Sequence, residues 1–233
     1  MTFPISRIVG KEFSMIGFYN YTVVLTYVSL LISSVGVYLA ASGQPFYALC
    51  CLLASGICDM FDGKIARTRK KSTDEEKRFG IQIDSLCDVI CFGVLPSAIG
   101  VSLVSSQTLP VRIAVWAIAA LYILCGLIRL AYFNVAEETR QAKEGGRRTH
   151  FQGVPITTAA VVFPMVYAVS EFLLTLGGIA ASLAPWLYPA FLVITGTAFI
   201  TPVRVRKPRG VGLTILGVIG LCEFGFMLWL LLR

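Results

Sequence analysis

Four aspartates stand within or at the edge of strongly apolar segments of the chain. They are Asp59, Asp62, Asp84 and Asp88. A carboxylate at bilayer depth costs roughly 2.5–3.5 kcal/mol on insertion scales, so a group of them needs protons, basic partners or bound cations. Their placement therefore indicates a functional site.

The spacing of the aspartates predicts that they converge. Asp59 and Asp62 are three residues apart and lie on one face of a helix. Asp84 and Asp88 are four residues apart and do the same. Two such faces packed together bring the carboxylates into one small volume, where they repel one another unless cations lie between them. A carboxylate cluster of this kind can hold two Mg²⁺ or Mn²⁺ ions about 4 Å apart. With His150 as the single histidine, no Cys/His set with zinc spacing exists.

The rest of the chain predicts membrane helices that position these residues. A composition with 56% hydrophobic and 14% charged residues excludes an ordinary soluble domain. We expect an all-α, polytopic integral-membrane helical bundle with about six to eight transmembrane helices. The apolar runs long enough to span a bilayer lie at about 20–42, 46–66, 80–104, 111–135, 155–178, 184–203 and 210–231.

The N-terminal residues differ from these runs. Residues 1–19 mix apolar residues with Arg7, Lys11 and Glu12, which predicts a short interfacial helix and not a signal peptide. Residues 20–233 are expected to form one membrane domain, with the aspartate motif at 59–88. The seven cysteines lie within the apolar runs and predict small packing residues, not disulfides.

Basic residues predict the orientation in the membrane. They cluster ahead of the first run and near 64–78, 140–148 and 204–209, whereas the alternate connections at 43–45, 105–110 and 179–183 carry no Lys or Arg. By the positive-inside rule, the N-terminus, the basic connections and the aspartate site then face the cytoplasm. These topology signals and anionic lipid headgroups account for the net charge of +7. Nucleic-acid binding is not expected, because no aromatic platform or binding motif accompanies the charge.

The aspartates belong to a longer pattern, D-x-x-D-G-x-x-A-R followed by G-x-x-x-D-x-x-x-D. This pattern resembles the signature of the CDP-alcohol phosphotransferase family. The segment between its two halves, 68–79, is longer than is usual in that family, and its charged residues predict a solvated loop. All eight fixed positions are present, as Asp59, Asp62, Gly63, Ala66, Arg67, Gly80, Asp84 and Asp88.

The resemblance implies transfer of a phosphatidyl group from a CDP-linked lipid to an alcohol, with release of CMP. By spacing alone any of the four aspartates could be the general base, and the resemblance assigns that role to Asp88. It also implies that all four hold two divalent metal ions, Mg²⁺ or Mn²⁺. The residues it implies for binding the CDP-lipid are Gly63, Ala66, Arg67 and Gly80, with Asn20 as a further candidate.

Three more motifs resemble the phosphatidylserine synthase branch of the family. They are D-S-L-x-D with F-G-x-x-P within 79–96, R-L-A-x-F-N at 129–134 and G-V-P at 153–155. The resemblance implies CDP-diacylglycerol and L-serine as substrates, membrane lipids as surroundings, and Arg129 and Asn134 as acceptor-binding residues. Arg129 could instead extend to the membrane surface, and Ser85 could simply pack against a neighbouring helix. Because dimers are common in the family, a homodimer is a further expectation.

Two other functions remain open from the sequence. Another member of the same family would use glycerol 3-phosphate or an inositol phosphate as acceptor, and such a pocket would need more basic residues than Arg129. A cation transporter would also carry intramembrane carboxylates. It would not explain Gly63, Ala66, Arg67 and Gly80 at fixed distances from the aspartates.

Overall fold

Six helical stretches of the described chain are long and apolar enough to cross a membrane. They confirm the expected all-α membrane bundle. The predicted interfacial segment at 1–19 and the predicted run at 210–231 lie largely outside the described residues. The structure is a computed structural model that describes residues 17–18, 21–66, 73–144, 150–152, 154–202, 204–206, 218, 220, 222–226 and 228–229.

The helices follow the apolar runs of the sequence. The third span is one continuous stretch, because α3 passes through a π-helical turn directly into α4. Two short strands and a 3₁₀ turn at Ile156–Thr158 complete the described elements. The bounds are α1 (Tyr21–Ala41), α2 (Pro45–Ala66), α3 (Asp74–Asp88), the π turn (Val89–Val94), α4 (Leu95–Leu103), α5 (Leu109–Glu144), β1 (His150–Gln152), α6 (Ala159–Leu176), α7 (Gly178–Ile200) and β2 (Arg204–Arg206).

The strands show which ends of the helices share a side of the bundle. β1 follows α5 and β2 follows α7, and the two pair antiparallel with Phe151 opposite Val205. The C-terminal ends of α5 and α7 therefore lie on the same side. Because successive membrane spans alternate in direction, the connection between α2 and α3 lies on that side as well.

The charged segment 68–79 is not a loop throughout. Thr73 caps α3, since its hydroxyl accepts a hydrogen bond from the backbone N–H of Glu76 at 3.2 Å. The Glu76 carboxylate accepts one from the Thr73 N–H at 3.0 Å, which completes a capping box. Residues 74–79 thus form the first turns of α3, and the prediction of a solvated loop is wrong for this half of the segment. The spacing of Thr73 and Glu76 is a helix-start signal in the sequence itself.

Aromatic side chains fill the core between α4, α5, α6 and α7. The Phe163 ring lies 5.6 Å from that of Tyr122 and 5.0 Å from that of Tyr188, centroid to centroid. The Tyr122 hydroxyl donates a hydrogen bond of 2.8 Å to the carbonyl of Phe92 in the π turn. Pro96, four residues after Phe92, has no N–H with which an α-helical bond to that carbonyl could form, and the tyrosine hydroxyl supplies a donor to it.

Candidate metal and substrate site

Three carboxylates of the motif meet where α2 and α3 approach each other. Asp59 on α2, and Asp84 and Asp88 on α3, each offer one oxygen, and these three oxygens lie within 4.8 Å of one another. All three side chains are partly buried. The two helices run in opposite directions from their connection, and so the helix faces that carry the aspartates can meet.

The fourth aspartate lies at the edge of this group. The carboxyl groups of Asp62 and Asp84 are within hydrogen-bonding distance of each other. The backbone N–H of Gly63 also donates to the Asp62 carboxylate. Asp62 therefore borders the three grouped carboxylates from the side of Asp84.

The group of three fits a hard divalent cation. Its ligand atoms are all carboxylate oxygens, which Mg²⁺ and Mn²⁺ prefer. Two oxygens bound to one Mg²⁺ at about 2.1 Å lie at most about 4.2 Å apart. Oxygens within 4.8 Å of one another are therefore close to that range. The cluster can hold a metal ion.

The two glycines of the motif border open space. A Cβ added at Gly63 or at Gly80 would meet no atom of the described chain within 4 Å. Space for a ligand therefore remains beside both glycines. Ala66 is the last residue of α2. Arg67 and Asn20 lie outside the described residues.

Arg129 brings a positive charge to the carboxylates from α5. It is only 8% exposed, which argues against the alternative in which it extends to the membrane surface. Its guanidinium interacts electrostatically with Asp59 and with Asp88. It also lies over the ring of Phe133, 5.4 Å from the centroid, in a cation–π contact. A buried guanidinium beside carboxylates is suited to binding an anionic group.

Asn134, one turn further along α5, reaches the motif helix. Its amide group donates a hydrogen bond of 2.9 Å to the hydroxyl of Ser85. Ser85 therefore makes a contact with a neighbouring helix, as expected for it. The sequence did not predict that these two residues pair.

The sequence also did not single out Ser55 and Cys91. Ser55 lies four residues before Asp59, and Cys91 lies three residues after Asp88. Both side chains are buried, and both contact α1. The only signal for them in the sequence is a small side chain at helical spacing from a motif aspartate.

Several known proteins are similar to this chain. The family model for CDP-alcohol phosphatidyltransferase matches residues 19–205. The chain is 32% identical over 176 residues to the CDP-diacylglycerol–serine O-phosphatidyltransferase of Helicobacter pylori, an alignment that covers 76% of this chain and 67% of that protein. A protein of the same name from Saccharomyces cerevisiae is 35% identical over 138 residues, or 57% of this chain and 47% of its own. The archaetidylserine synthase of Methanothermobacter thermautotrophicus is 34% identical over 129 residues, or 55% and 49%. The chain thus spans about two thirds of the length of the first relative and about half of the others.

Proposed function

Since this chain belongs to the CDP-alcohol phosphatidyltransferase family, we propose that it transfers the phosphatidyl group of CDP-diacylglycerol to the hydroxyl of L-serine, forming phosphatidylserine and CMP. The observation that carries the proposal is the meeting of Asp59, Asp84 and Asp88 within 4.8 Å, on the motif of that family. The names of the relatives support serine as the acceptor.

In this proposal two divalent ions, Mg²⁺ or Mn²⁺, occupy the carboxylate cluster. Asp59, Asp62, Asp84 and Asp88 hold them through oxygen ligands. When bound, such ions neutralise the diphosphate of the donor and stabilise the charge that develops on departing CMP. The adjacency of Asp62 to Asp84 supports a site with more ligands than the three grouped carboxylates alone.

Asp88 acts as the general base. A bond forms between the serine hydroxyl oxygen and the lipid-side phosphorus, and the bond from that phosphorus to the CMP oxygen breaks. The hydroxyl proton passes to the Asp88 carboxylate, and CMP leaves with the electron pair of the broken bond. Arg129, the proposed acceptor-binding group, interacts electrostatically with Asp88, and this interaction supports the assignment.

Arg129 binds the carboxylate of serine. Its planar guanidinium can form two parallel hydrogen bonds to a carboxylate, and contact with the Phe133 ring restricts its orientation. Asn134 completes the acceptor pocket from the same helix. This arrangement directs the serine hydroxyl toward Asp88 when the carboxylate is bound.

The CDP-lipid occupies the space beside the motif glycines. The space beside Gly63 and Gly80 is open, because a Cβ added at either position would not contact the described chain. Ala66 ends α2. Arg67 is the next residue of the sequence, and in this proposal its guanidinium neutralises a diphosphate oxygen. Asn20 lies just before α1 and is the remaining candidate for nucleotide contact.

The site opens to the cytoplasm in this proposal. The α2–α3 connection and the β1–β2 pair lie on one side of the bundle, and the basic residues at 140–148 and 204–209 adjoin that pair in the sequence. The positive-inside rule assigns that side to the cytoplasm. CDP-lipid headgroup, serine and divalent ions then meet on one membrane face.

The test is CMP release by the purified protein in detergent with Mn²⁺ or Mg²⁺. Donors are CDP-diacylglycerol and its ether-linked analogue, and acceptors are L-serine, glycerol 3-phosphate and inositol phosphate, with Asp88→Asn as the inactive control. Release that requires L-serine supports the proposal. Release that requires a phosphorylated alcohol overturns serine as the acceptor. If no acceptor gives CMP release, the proposed enzymatic function is wrong, and cation flux in proteoliposomes becomes the next measurement.

A further inference from the structure

Helix α1 contributes none of the motif aspartates, yet its polar residues lie directly against the segments that carry them. The hydroxyls of Ser33 on α1 and Ser55 on α2 share a hydrogen bond of 2.7 Å. Both residues are 0% exposed. Ser55 stands one helical turn before Asp59, so this bond joins α2 to α1 one turn away from a motif carboxylate.

A second set of contacts joins α1 to the π turn after Asp88. The Ser29 hydroxyl lies 3.5 Å from the Cys91 sulfur and donates to the Ser55 carbonyl at 3.4 Å. The Ser55 hydroxyl in turn lies 3.3 Å from the Ser29 carbonyl. These contacts are longer and weaker than the bond between the two hydroxyls. Together they place α1 against both carboxylate-bearing segments. We refer to Ser29, Ser33, Ser55 and Cys91 as the α1 serine cluster.

Close packing continues this contact along the same face of α1. Gly36 follows Ser33 by three residues, and a Cβ there would lie 2.8 Å from Cys51 Cβ and 2.9 Å from Leu95 Cδ1. Small residues of this kind allow the backbones of membrane helices to approach closely. Because α1, α2 and α4 touch at this point, α1 has little freedom to shift relative to the other two.

The contacts of the α1 serine cluster affect the neighbouring carboxylates, Asp59 and Asp88. When no cation is bound, Asp59 and Asp88 repel each other at low dielectric and tend to separate α2 from α3. A helix that is bonded to both segments opposes that separation. A binding site held in its liganded geometry binds more tightly, because less reorganisation accompanies binding.

We propose that the α1 serine cluster positions Asp59 against Asp88 for divalent-cation binding. Ser29, Ser33 and Ser55 are positioning residues in this inference and touch neither substrate nor metal. The inference rests on the proposed function, whose reaction uses the cation. Its test, however, measures metal binding directly and does not depend on which alcohol is the acceptor.

Removing the hydrogen bond between Ser33 and Ser55 is expected to weaken metal binding selectively. Ser55→Ala and Ser33→Ala should each weaken Mn²⁺ affinity by about three- to tenfold, the range typical of one interhelical hydrogen bond in a membrane protein. The double variant should weaken Mn²⁺ affinity little more than either single variant, because both changes remove the same bond. At saturating Mn²⁺, kcat and the KM for serine should return to wild-type values, since the reacting groups are unchanged.

The chain offers two matched controls. Ser34 neighbours Ser33 but is exposed, and among the described residues its hydroxyl bonds the Leu30 carbonyl of its own helix at 2.8 Å. Ser97 is 4% exposed and donates to the Ala119 carbonyl at 3.3 Å, which is a buried interhelical bond away from the carboxylates. Ser34→Ala should change neither stability nor metal affinity. Ser97→Ala should lower Tm without changing Mn²⁺ affinity.

The experiment is a Mn²⁺ titration followed by electron paramagnetic resonance, on detergent-purified wild type and the four single variants, without CDP-lipid or serine. Weakened binding in Ser33→Ala and Ser55→Ala alone supports the inference. Unchanged binding in both, or equal weakening in Ser97→Ala, overturns it. If Ser55→Ala fails to fold, Ser33→Ala removes the same bond from α1. If the wild type binds Mn²⁺ but does not use serine, the proposed function fails while the comparison of variants still decides the positioning role.

Discussion

Asn134 on α5 and Ser85 on α3 are joined by a hydrogen bond of 2.9 Å from the asparagine amide to the serine hydroxyl. Ser85 directly follows Asp84, so the bond sets the position of the arginine-bearing helix relative to the carboxylates. The two residues belong to separate motifs, D-S-L-x-D and R-L-A-x-F-N. In the proposed function, their contact aligns the acceptor pocket on one helix with the metal ligands on the other.

Loss of this bond should impair use of the acceptor. We expect Asn134→Ala to raise the KM for serine by about two- to tenfold, the worth of one hydrogen bond, and to change the KM for CDP-diacylglycerol less. Ser85→Ala should have the same effect, and the double variant should be no worse than either single one. Steady-state kinetics on the three variants measures this. An effect of Asn134→Ala with none from Ser85→Ala would mean that Asn134 acts on serine directly and not through Ser85.

Asp88→Asn should abolish turnover while the protein still binds its donor. The amide keeps the shape of the side chain but cannot accept the hydroxyl proton, so we expect kcat to fall by at least about 100-fold. Mn²⁺-dependent binding of CDP-diacylglycerol should persist in part, because the remaining aspartates still offer ligands. Asp74→Asn is the matched control, since Asp74 is an exposed carboxylate on the same helix. Near-normal turnover in Asp88→Asn would show that another group is the base.

Asp59→Asn should stabilise the metal-free protein and weaken its response to metal. The carboxylate oxygens of Asp59, Asp84 and Asp88 lie within 4.8 Å of one another. Two charges at such a separation repel by on the order of 3 kcal/mol at an effective dielectric constant of 20. Removing one charge relieves part of this repulsion. Thermal unfolding in EDTA should therefore show a higher Tm for the variant, whereas added Mn²⁺ should raise the Tm of wild type more than that of the variant. An Mn²⁺ response as large as that of wild type would contradict the proposed ligand role of Asp59.

Arg129→Ala should raise the KM for serine more than the KM for CDP-diacylglycerol. Hydrogen bonds to a charged group contribute roughly 1.5–3 kcal/mol, so we expect the KM for serine to rise by at least about tenfold. Arg129→Lys keeps the charge but loses the planar fork, and it should give an intermediate KM. Because Arg129 also interacts with Asp59 and Asp88, Mn²⁺ affinity is measured in parallel. A larger rise in the KM for CDP-diacylglycerol would assign Arg129 to the nucleotide side.

The sequence predicts the helices well within the apolar runs. The run predicted at 20–42 corresponds to α1, Tyr21–Ala41. Prediction is poorer where helices extend beyond the apolar runs. α3 begins at Asp74 and not near 80, and α5 continues to Glu144. Such ends are set by capping side chains and helix propensity, to which a hydropathy pattern is insensitive.

The carboxylates of the site could be predicted because their spacing is local. A separation of three or four residues places two side chains on one helix face whatever the tertiary structure. The bonds between Ser33 and Ser55, and between Asn134 and Ser85, depend instead on the rotation and depth of one helix relative to another. These are properties of packing between distant segments, and no spacing within one helix indicates them.

Gly56 lies at a close approach between α2 and α6. A Cβ at this position would lie 2.5 Å from the Cβ of Ala160, a separation at which the two helices must move apart. Overpacking of this kind typically costs about 1–3 kcal/mol. We expect Gly56→Ala to lower Tm by several degrees. It should also slow CMP release, because Gly56 precedes Asp59 by three residues and displacement of α2 moves that carboxylate. Thermal unfolding and CMP release, measured on the same preparation, test both effects.

A compensating substitution distinguishes steric conflict from a general effect of adding a methyl group. Ala160→Gly removes the side chain that the new methyl group would meet, so the double variant Gly56→Ala with Ala160→Gly should recover both Tm and activity. Gly93→Ala is the control, since Gly93 is buried but its added Cβ would lie 3.9 Å from Val89 Cγ1, an ordinary contact distance. Failure of Ala160→Gly to rescue, or an equal loss in Gly93→Ala, would show that the separation of α2 and α6 at this point does not limit stability or the position of Asp59.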